Sequence, residues 1–304
     1  MKTLAFREII ENKTSLSLRD KLLVVMELTK LRITTFVTLT TVFGFICFTE
    51  KITLDIISPA LGILLLSSGS AVINHFQERR TDALMKRTKN RPLPSGKISP
   101  QSALMLALIL VFSGSIILYL GSGLLALGLG LLNLIWYNGI YTPLKKVNPL
   151  AIIPGSIVGA LPPMVGWVAA GGSLFDPQIL ILAFFFFIWQ IPHFWLLLMI
   201  FGNDYEQAGF PTLTQLFSVE QLARITFIWI AATFVTSMLI PLFGIIKNNF
   251  IEFGLLAAGV WLTWNSLKLL KANQEKIWFR FAFREINIFA VLVVVLLTID
   301  KLFI

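Results

Sequence analysis

The chain has 304 residues, 56% of them hydrophobic and 13% charged, a net charge of +9 and a mean hydropathy of +0.82. An apolar share this high excludes an ordinary soluble globular protein and makes the lipid bilayer the solvent. The lone cysteine, Cys47, excludes an intramolecular disulfide or a thiolate metal cluster, and the positive charge is placed by topology rather than as a nucleic-acid surface.

The first 32 residues do not read as a cleavable signal peptide, because Arg7, Glu8, Glu11, Lys13, Arg19 and Asp20 interrupt them before any apolar core begins. LRDKLLVVMELTKLR (18–32) has apolar residues at helical spacing with basic flanks, which suits either a helix lying in the interface or a lead-in to the first span. A spanning helix needs roughly 20 mostly apolar residues. Nine stretches qualify, near 33–49, 57–77, 101–119, 122–141, 150–169, 178–201, 222–245, 250–268 and 282–300. The expected architecture is therefore an all-α membrane protein: a cytoplasmic segment 1–32 with an interfacial helix, then a single bundle of nine transmembrane helices over 33–304. With alternating spans, all but Lys51, Lys247 and Lys301 of the 25 Lys and Arg fall on one side. The positive-inside rule makes that side cytoplasmic.

The second span ends in NHFQERRTDALMKRTKNRPL (74–93), where eight of twenty residues are charged. Each would cost roughly 2.5–3.5 kcal/mol at mid-bilayer, so the stretch belongs at the interface. Asn74, Glu78 and Asp82 stand at i, i+4 and i+8 and line one helix face over about 12 Å. Two carboxylates and an amide carbonyl are hard ligands suited to Mg2+; the plain alternative is a helix end fraying into water, its acids paired to nearby arginines. RPLPSGKISPQSAL then leads to Ser99 as an N-cap with Pro100 in the first turn.

Further along the same side lie YTPLKKVNP (141–149), with Tyr141, Lys145 and Lys146, and FGNDYEQAGFPTL (201–213), with Asp204 and Glu206 and no basic residue. A proline-containing connector again leads to a serine, Ser218, with Gln221 placed to complete a capping box. The parallel suggests an internal four-helix repeat. Acids flanked by Lys and Arg at one membrane face suit a diphosphate held with magnesium, the basic side chains taking the remaining phosphate charge. A site of this kind promotes departure of diphosphate from an allylic carbon.

Within the spans, Gly155, Gly159 and Gly166 are spaced for close helix contact, and FFFF (184–187) covers all sides of one turn, so it cannot face a single pocket. His193 follows Pro192 inside the sixth span. An ionisable residue there is a functional candidate, as an iron ligand or a base, against a structural histidine beside a kink. His75 is turned 100° from the acid stripe and reads as an interfacial or packing residue.

NHFQERRTDALMKRTKNRPLPSG resembles the N-x-x-x-[DE]-x-x-x-D motif of UbiA-type intramembrane prenyltransferases, and in detail that of the protoheme IX farnesyltransferase (haem O synthase) branch. ELTKLRITTFVTLTTVFGF (27–45), YTPLKKVNPLAIIPGSIVGALPPMVGW (141–167) and WQIPHFWLLLMIFGNDYEQAGFPTL (189–213) are similar to the same family, and WQIPHF with DYxxAG points to the haem-modifying branch. The resemblance implies transfer of the farnesyl group of farnesyl diphosphate to a vinyl group of haem B with addition of water, giving haem O and diphosphate. It implies Mg2+ at Asn74, Glu78, Asp82 and Asp204, diphosphate contacts from Tyr141 and Lys145, and a bacterial inner membrane. Lys86, Arg87 and Arg91 are the further phosphate candidates, and His193 the candidate at the acceptor. A downstream haem-modifying enzyme or oxidase assembly proteins are the implied partners, besides the bilayer itself. Two departures stand out: Glu78 where many relatives carry Asp, and Ala208 where a second motif would end in an acid, which leaves Asn203 or Glu206 to complete that shell. The rival readings are a prenyltransferase for a quinone precursor, and a non-catalytic haem-handling assembly factor or transporter. A transporter would carry coupling charges near mid-membrane, where these spans hold almost none.

Overall fold

A computed structural model describes residues 17–271 and 276–303, all of whose regular structure is helical. The expectations for residues 1–16 lie outside the described residues. Helix α1 (Leu18–Leu28) is capped by Ser17, whose hydroxyl accepts the Asp20 N–H. Its Val24 and Leu28 pack on Val72 and Ala103, while Leu18, Leu22, Leu23 and Met26 stay exposed. It is no continuous lead-in, because Lys30 adopts a left-handed conformation (φ 49°, ψ 48°) and breaks the chain before α2 (Leu31–Thr49).

The remaining long helices are α3 (Ile57–Asp82), α4 (Pro100–Ile135), α5 (Ile157–Ala169, entered through the short turn Ile152–Gly155), α6 (Pro177–Gln207), α7 (Val219–Leu239), α8 (Asn249–Ser266) and α9 (Lys276–Phe303). Among the described residues, eight continuous runs are long and apolar enough to cross a membrane, against the nine spans expected. The difference lies in one 45-residue run, Pro100–Leu144, which holds two of the expected spans. At 1.5 Å per residue it would reach roughly 68 Å, about twice a hydrocarbon core. It is interrupted at Gly123 (φ 84°, ψ 176°), a conformation open in practice to glycine alone. The chain is a multi-pass integral membrane protein.

Both N-caps form as the sequence suggests: Ser99 accepts the Ser102 N–H, and Ser218 with Gln221 completes a capping box. The core is aromatic, with Phe43, Phe185, Phe186 and Phe289 all essentially inaccessible, whereas Phe184 of the FFFF run faces outward. The glycines of α5 mark close approach: a Cβ on Gly166 would lie 1.8 Å from the Thr41 carbonyl oxygen of α2. One on Gly155 would strike the Tyr141 ring at 2.4 Å, so the small residue there is what lets Tyr141 sit at the foot of the site.

Candidate active site

Helix α3 carries an amide and two acids on one face. Asn74, Glu78 and Asp82 are 1%, 6% and 0% exposed, so the fraying-helix reading is excluded and each group must find a partner. The partners come from the segment after α4, where a π-helical turn (Trp136–Tyr141) leads into Thr142–Leu144. A wide turn of this kind shifts the register of the helical turn after it, and it sets Asn138, Thr142 and Lys145 opposite Ser70, Asn74 and Glu78. Ser70 Oγ donates to Asn138 Oδ1 (2.6 Å) and Asn138 Nδ2 returns a bond to the Ser70 carbonyl (3.0 Å). Asn74 Nδ2 donates to Thr142 Oγ1 (3.2 Å), which donates to the Tyr137 carbonyl (2.8 Å). That chain fixes the Asn74 amide with its oxygen turned the other way, toward Lys30, whose Nζ lies 2.7 Å from it.

Each member of the stripe thus meets a cation. Lys30 holds Asn74, Lys145 lies 2.5 Å from Glu78 Oε1, and Arg91 grips both oxygens of Asp82 at 2.9 and 2.8 Å. Lys145 is thus the partner of the buried Glu78 Oε1. Burial pushes the Lys30 ammonium down to about 7, and the charges of Arg91 and Lys145 act the same way against the pull of Glu78 and Asp82. Burial also opposes the charge on Lys145, but Glu78 and the phenols of Tyr141 and Tyr137 outweigh it and hold its pKa above the ordinary lysine value. Lys145 and Arg91 balance Glu78 and Asp82, and Lys30, about half-ionised near neutral pH, adds the surplus positive charge that an anion could meet.

The end of α6 closes over this cluster. Met85 of the 83–98 connection is buried against Ala208 and Phe210, with Tyr205 beside them. The Arg87 guanidinium lies over the Phe201 ring at 5.1 Å, and Lys145 Nζ lies 5.5 Å from the Tyr141 ring and 6.0 Å from that of Phe210. The structure thus brings Tyr141, Lys145 and Arg91 to the acid stripe, places Arg87 at its rim, and leaves Lys86 exposed. Asp204 is half-buried, and among the described residues its carboxylate makes no hydrogen bond or ion pair. Glu206 does not complete its shell: it is exposed and accepts from Thr212 (2.7 Å) and Thr214 (2.5 Å) of the following loop. Among the described residues no three His, Cys, Asp or Glu side chains gather closely enough to hold one ion, so Glu78, Asp82 and Asp204 do not form a single cluster. The donor set of the stripe nevertheless suits a hard divalent cation: three oxygen-bearing side chains share one buried helix face.

Deeper in the bundle, His193 Nδ1 lies 2.8 Å from Asn287 Oδ1 of α9. The imidazole sits between Trp189 and Phe283, each with ring centroids 4.9 Å away, and meets Phe194 edge-on at 5.3 Å. His75 is buried, with the Glu27 backbone of α1 beside it, so it packs and does not face lipid. Five residues of these networks carry no motif in the sequence: Lys30, Ser70, Asn138, Thr142 and Asn287. Asn138 and Asn287 left a signal, since each is an amide inside a stretch that otherwise reads as a span.

The sequence profile of the UbiA prenyltransferase family matches residues 36–289. The chain belongs to that family. It is 32% identical over 276 residues to the protoheme IX farnesyltransferase of Oleidesulfovibrio alaskensis, covering 90% of this chain and 94% of the relative. It is 39% identical over 184 residues to that of Geobacter sulfurreducens, covering 60% and 68%. Among solved structures, that of digeranylgeranylglyceryl phosphate synthase superposes with a TM-score of 0.76 at 16% identity, over 93% of this chain and 99% of that one. A UbiA homolog from Archaeoglobus fulgidus bound to DMAPP and Mg2+ gives 0.68 at 15% identity, over 90% and 97%. At such identities the structures establish the shared family fold.

Proposed function

We infer that the chain transfers the farnesyl group of farnesyl diphosphate to a vinyl group of haem B, with addition of water, giving haem O and diphosphate. The allylic C–O bond breaks with its electron pair leaving on diphosphate, a C–C bond forms to the vinyl group, and the water supplies the hydroxyl while its other proton is released with the diphosphate. The observation that carries this reading is the excess of cations over carboxylates at the buried stripe, in a chain similar along 94% of a protoheme IX farnesyltransferase. The charge that accumulates on a departing diphosphate needs donors already in place, and Lys30, Lys145 and Arg91 are already in place. Arg87, at the rim over Phe201, serves the incoming diphosphate, and exposed Lys86 draws it from solution.

Asn74, Glu78 and Asp82 on one side and Asp204 on the other would hold Mg2+, which when bound neutralises diphosphate oxygens and strengthens the leaving group. The diphosphate would lie between Asp204 and the stripe. Lys145 and Arg91, now spent on Glu78 and Asp82, then turn to phosphate oxygens. His193 lies deeper, where the acceptor enters. The protein spans a bacterial inner membrane nine times, with Gly123 dividing the long run, and keeps the loops of this site in the cytoplasm. Its product passes to a further haem-modifying enzyme or to oxidase assembly.

The purified chain, given farnesyl diphosphate and either haem B or 4-hydroxybenzoate, tests the assignment. Chromatography should show haem O with the first acceptor and no prenylated product with the second. Product on the benzoate alone would refute it.

A further inference from the structure

The Asn287 amide beside His193 determines which of the ring nitrogens is free. Asn287 Nδ2 donates to the Phe283 carbonyl one turn earlier on α9, and a carbonyl oxygen only accepts. The amide is thereby oriented with Oδ1 toward His193, 2.8 Å from Nδ1. An amide oxygen likewise only accepts, so in the neutral ring Nδ1 carries the proton and Nε2 carries the lone pair. Among the described residues nothing hydrogen-bonds Nε2, and the half-buried ring is held by Trp189 and Phe283 at 4.9 Å each and by Phe194 at 5.3 Å. Trp189 is itself anchored to α9, donating its indole N–H to the Ile286 carbonyl at 3.1 Å.

We propose that His193 Nε2 is an axial ligand of the haem iron, and that Asn287 is the positioning residue that fixes the tautomer and ring direction this requires. The arrangement is that of metal-bound histidines generally, one ring nitrogen on the metal and the other donating to an oxygen of the protein. The neighbourhood selects ligand over base. A base becomes a cation, and the ring's contacts supply one neutral amide oxygen and three aromatic rings, with no carboxylate among them. A ligand stays neutral and is suited by apolar walls, which also accept the faces and edges of a flat macrocycle. The position agrees with the route of the substrates: His193 precedes Asp204 by eleven residues on α6, roughly 16 Å along the helix axis, so the haem would sit on the membrane side of the diphosphate. This assignment rests on haem B being the acceptor.

The test uses the full chain in detergent, titrated with ferrous haem B and followed by the Soret band and the resonance Raman iron–histidine stretch. Wild type should show the stretch. His193→Gly should lose it and regain it with added imidazole, whereas His75→Gly should keep it. Asn287→Leu removes the acceptor and should weaken haem binding about tenfold or more while shifting the band. Asn287→Asp keeps an oxygen at Nδ1 with more charge, and should retain binding with the band at higher frequency. An unchanged band in His193→Gly, or one at the wild-type position in both Asn287 variants, overturns the proposal. A wild-type chain that makes haem O without any iron–histidine band overturns the ligand assignment alone. A chain that shows the band yet makes no haem O supports the ligand and overturns the proposed reaction.

Discussion

Two charge clusters tie distant parts of this chain together at opposite ends of the bundle. Away from the site, Glu50 at the end of α2 takes Lys247 and, at 2.9 Å, Lys301. Asp300 is fully buried and accepts the backbone N–H groups of Lys247 (3.0 Å) and Asn248 (3.1 Å), fastening the start of α8 to the end of α9. Two acids meet two bases, and the buried carboxylate is filled by backbone donors. At the site end Glu78 and Asp82 are paired to Lys145 and Arg91, Lys30 adds a further basic group on the Asn74 amide, and among the described residues the Asp204 carboxylate has no partner. A cluster whose charges cancel and whose hydrogen bonds close is part of the scaffold. One with a basic group and an acid to spare has what a charged ligand would need.

The contrast is broken most directly at the acids. Asp82→Ala and Asp204→Ala should each lower farnesyl transfer at least about 100-fold, the usual scale for removing one preorganised electrostatic partner of a transition state. Size-exclusion profiles in detergent should stay those of the folded protein. If either variant turns over at the wild-type rate, the two-sided site is wrong. Lys145→Met comes next. It leaves Glu78 buried and unpaired as well as removing a donor to diphosphate, so kcat/KM for farnesyl diphosphate should fall about 10- to 100-fold. Asp300→Ala, at the other end, should cost about 1–3 kcal/mol by stripping two half-buried N–H groups of their acceptor. A lowered midpoint of thermal unfolding with unchanged turnover of the folded fraction is the expected result.

One of these ends is legible in the sequence and the other is dark. Asn74, Glu78 and Asp82 announce themselves by helical spacing within twenty residues, and Ser99 and Ser218 by local cap chemistry that the structure realises. Glu50, Lys247 and Lys301 pair across 197 and 251 residues, a relation no local pattern carries. The same limit applies to partners within the site: a motif marks Lys145, but none marks Lys30, since what brings it to Asn74 is a left-handed break between two helices. The long run through Gly123 shows the limit for the fold. Hydropathy alone divides Pro100–Leu144 into two spans, and the chain runs on as helix through most of both, bending at a single residue.

The smallest effect gives the sharpest comparison, because it repeats the Lys145→Met substitution at the opposite end. Lys247 is 43% exposed and Glu50 38%, so their ion pair lies in water and is screened. Pairs of that kind contribute roughly 0.2–1 kcal/mol. Lys247→Met keeps the backbone N–H that Asp300 accepts, and Glu50 keeps the buried Lys301, so neither the start of α8 nor the tie between α2 and α9 is lost. The unfolding midpoint should move by no more than a few degrees, and farnesyl transfer should match wild type at every diphosphate concentration. The same exchange of ammonium for thioether thus separates a cation that neutralises its partner from one kept in reserve for an anion. If Lys247→Met slows transfer as much as Lys145→Met does, that distinction between the two ends fails.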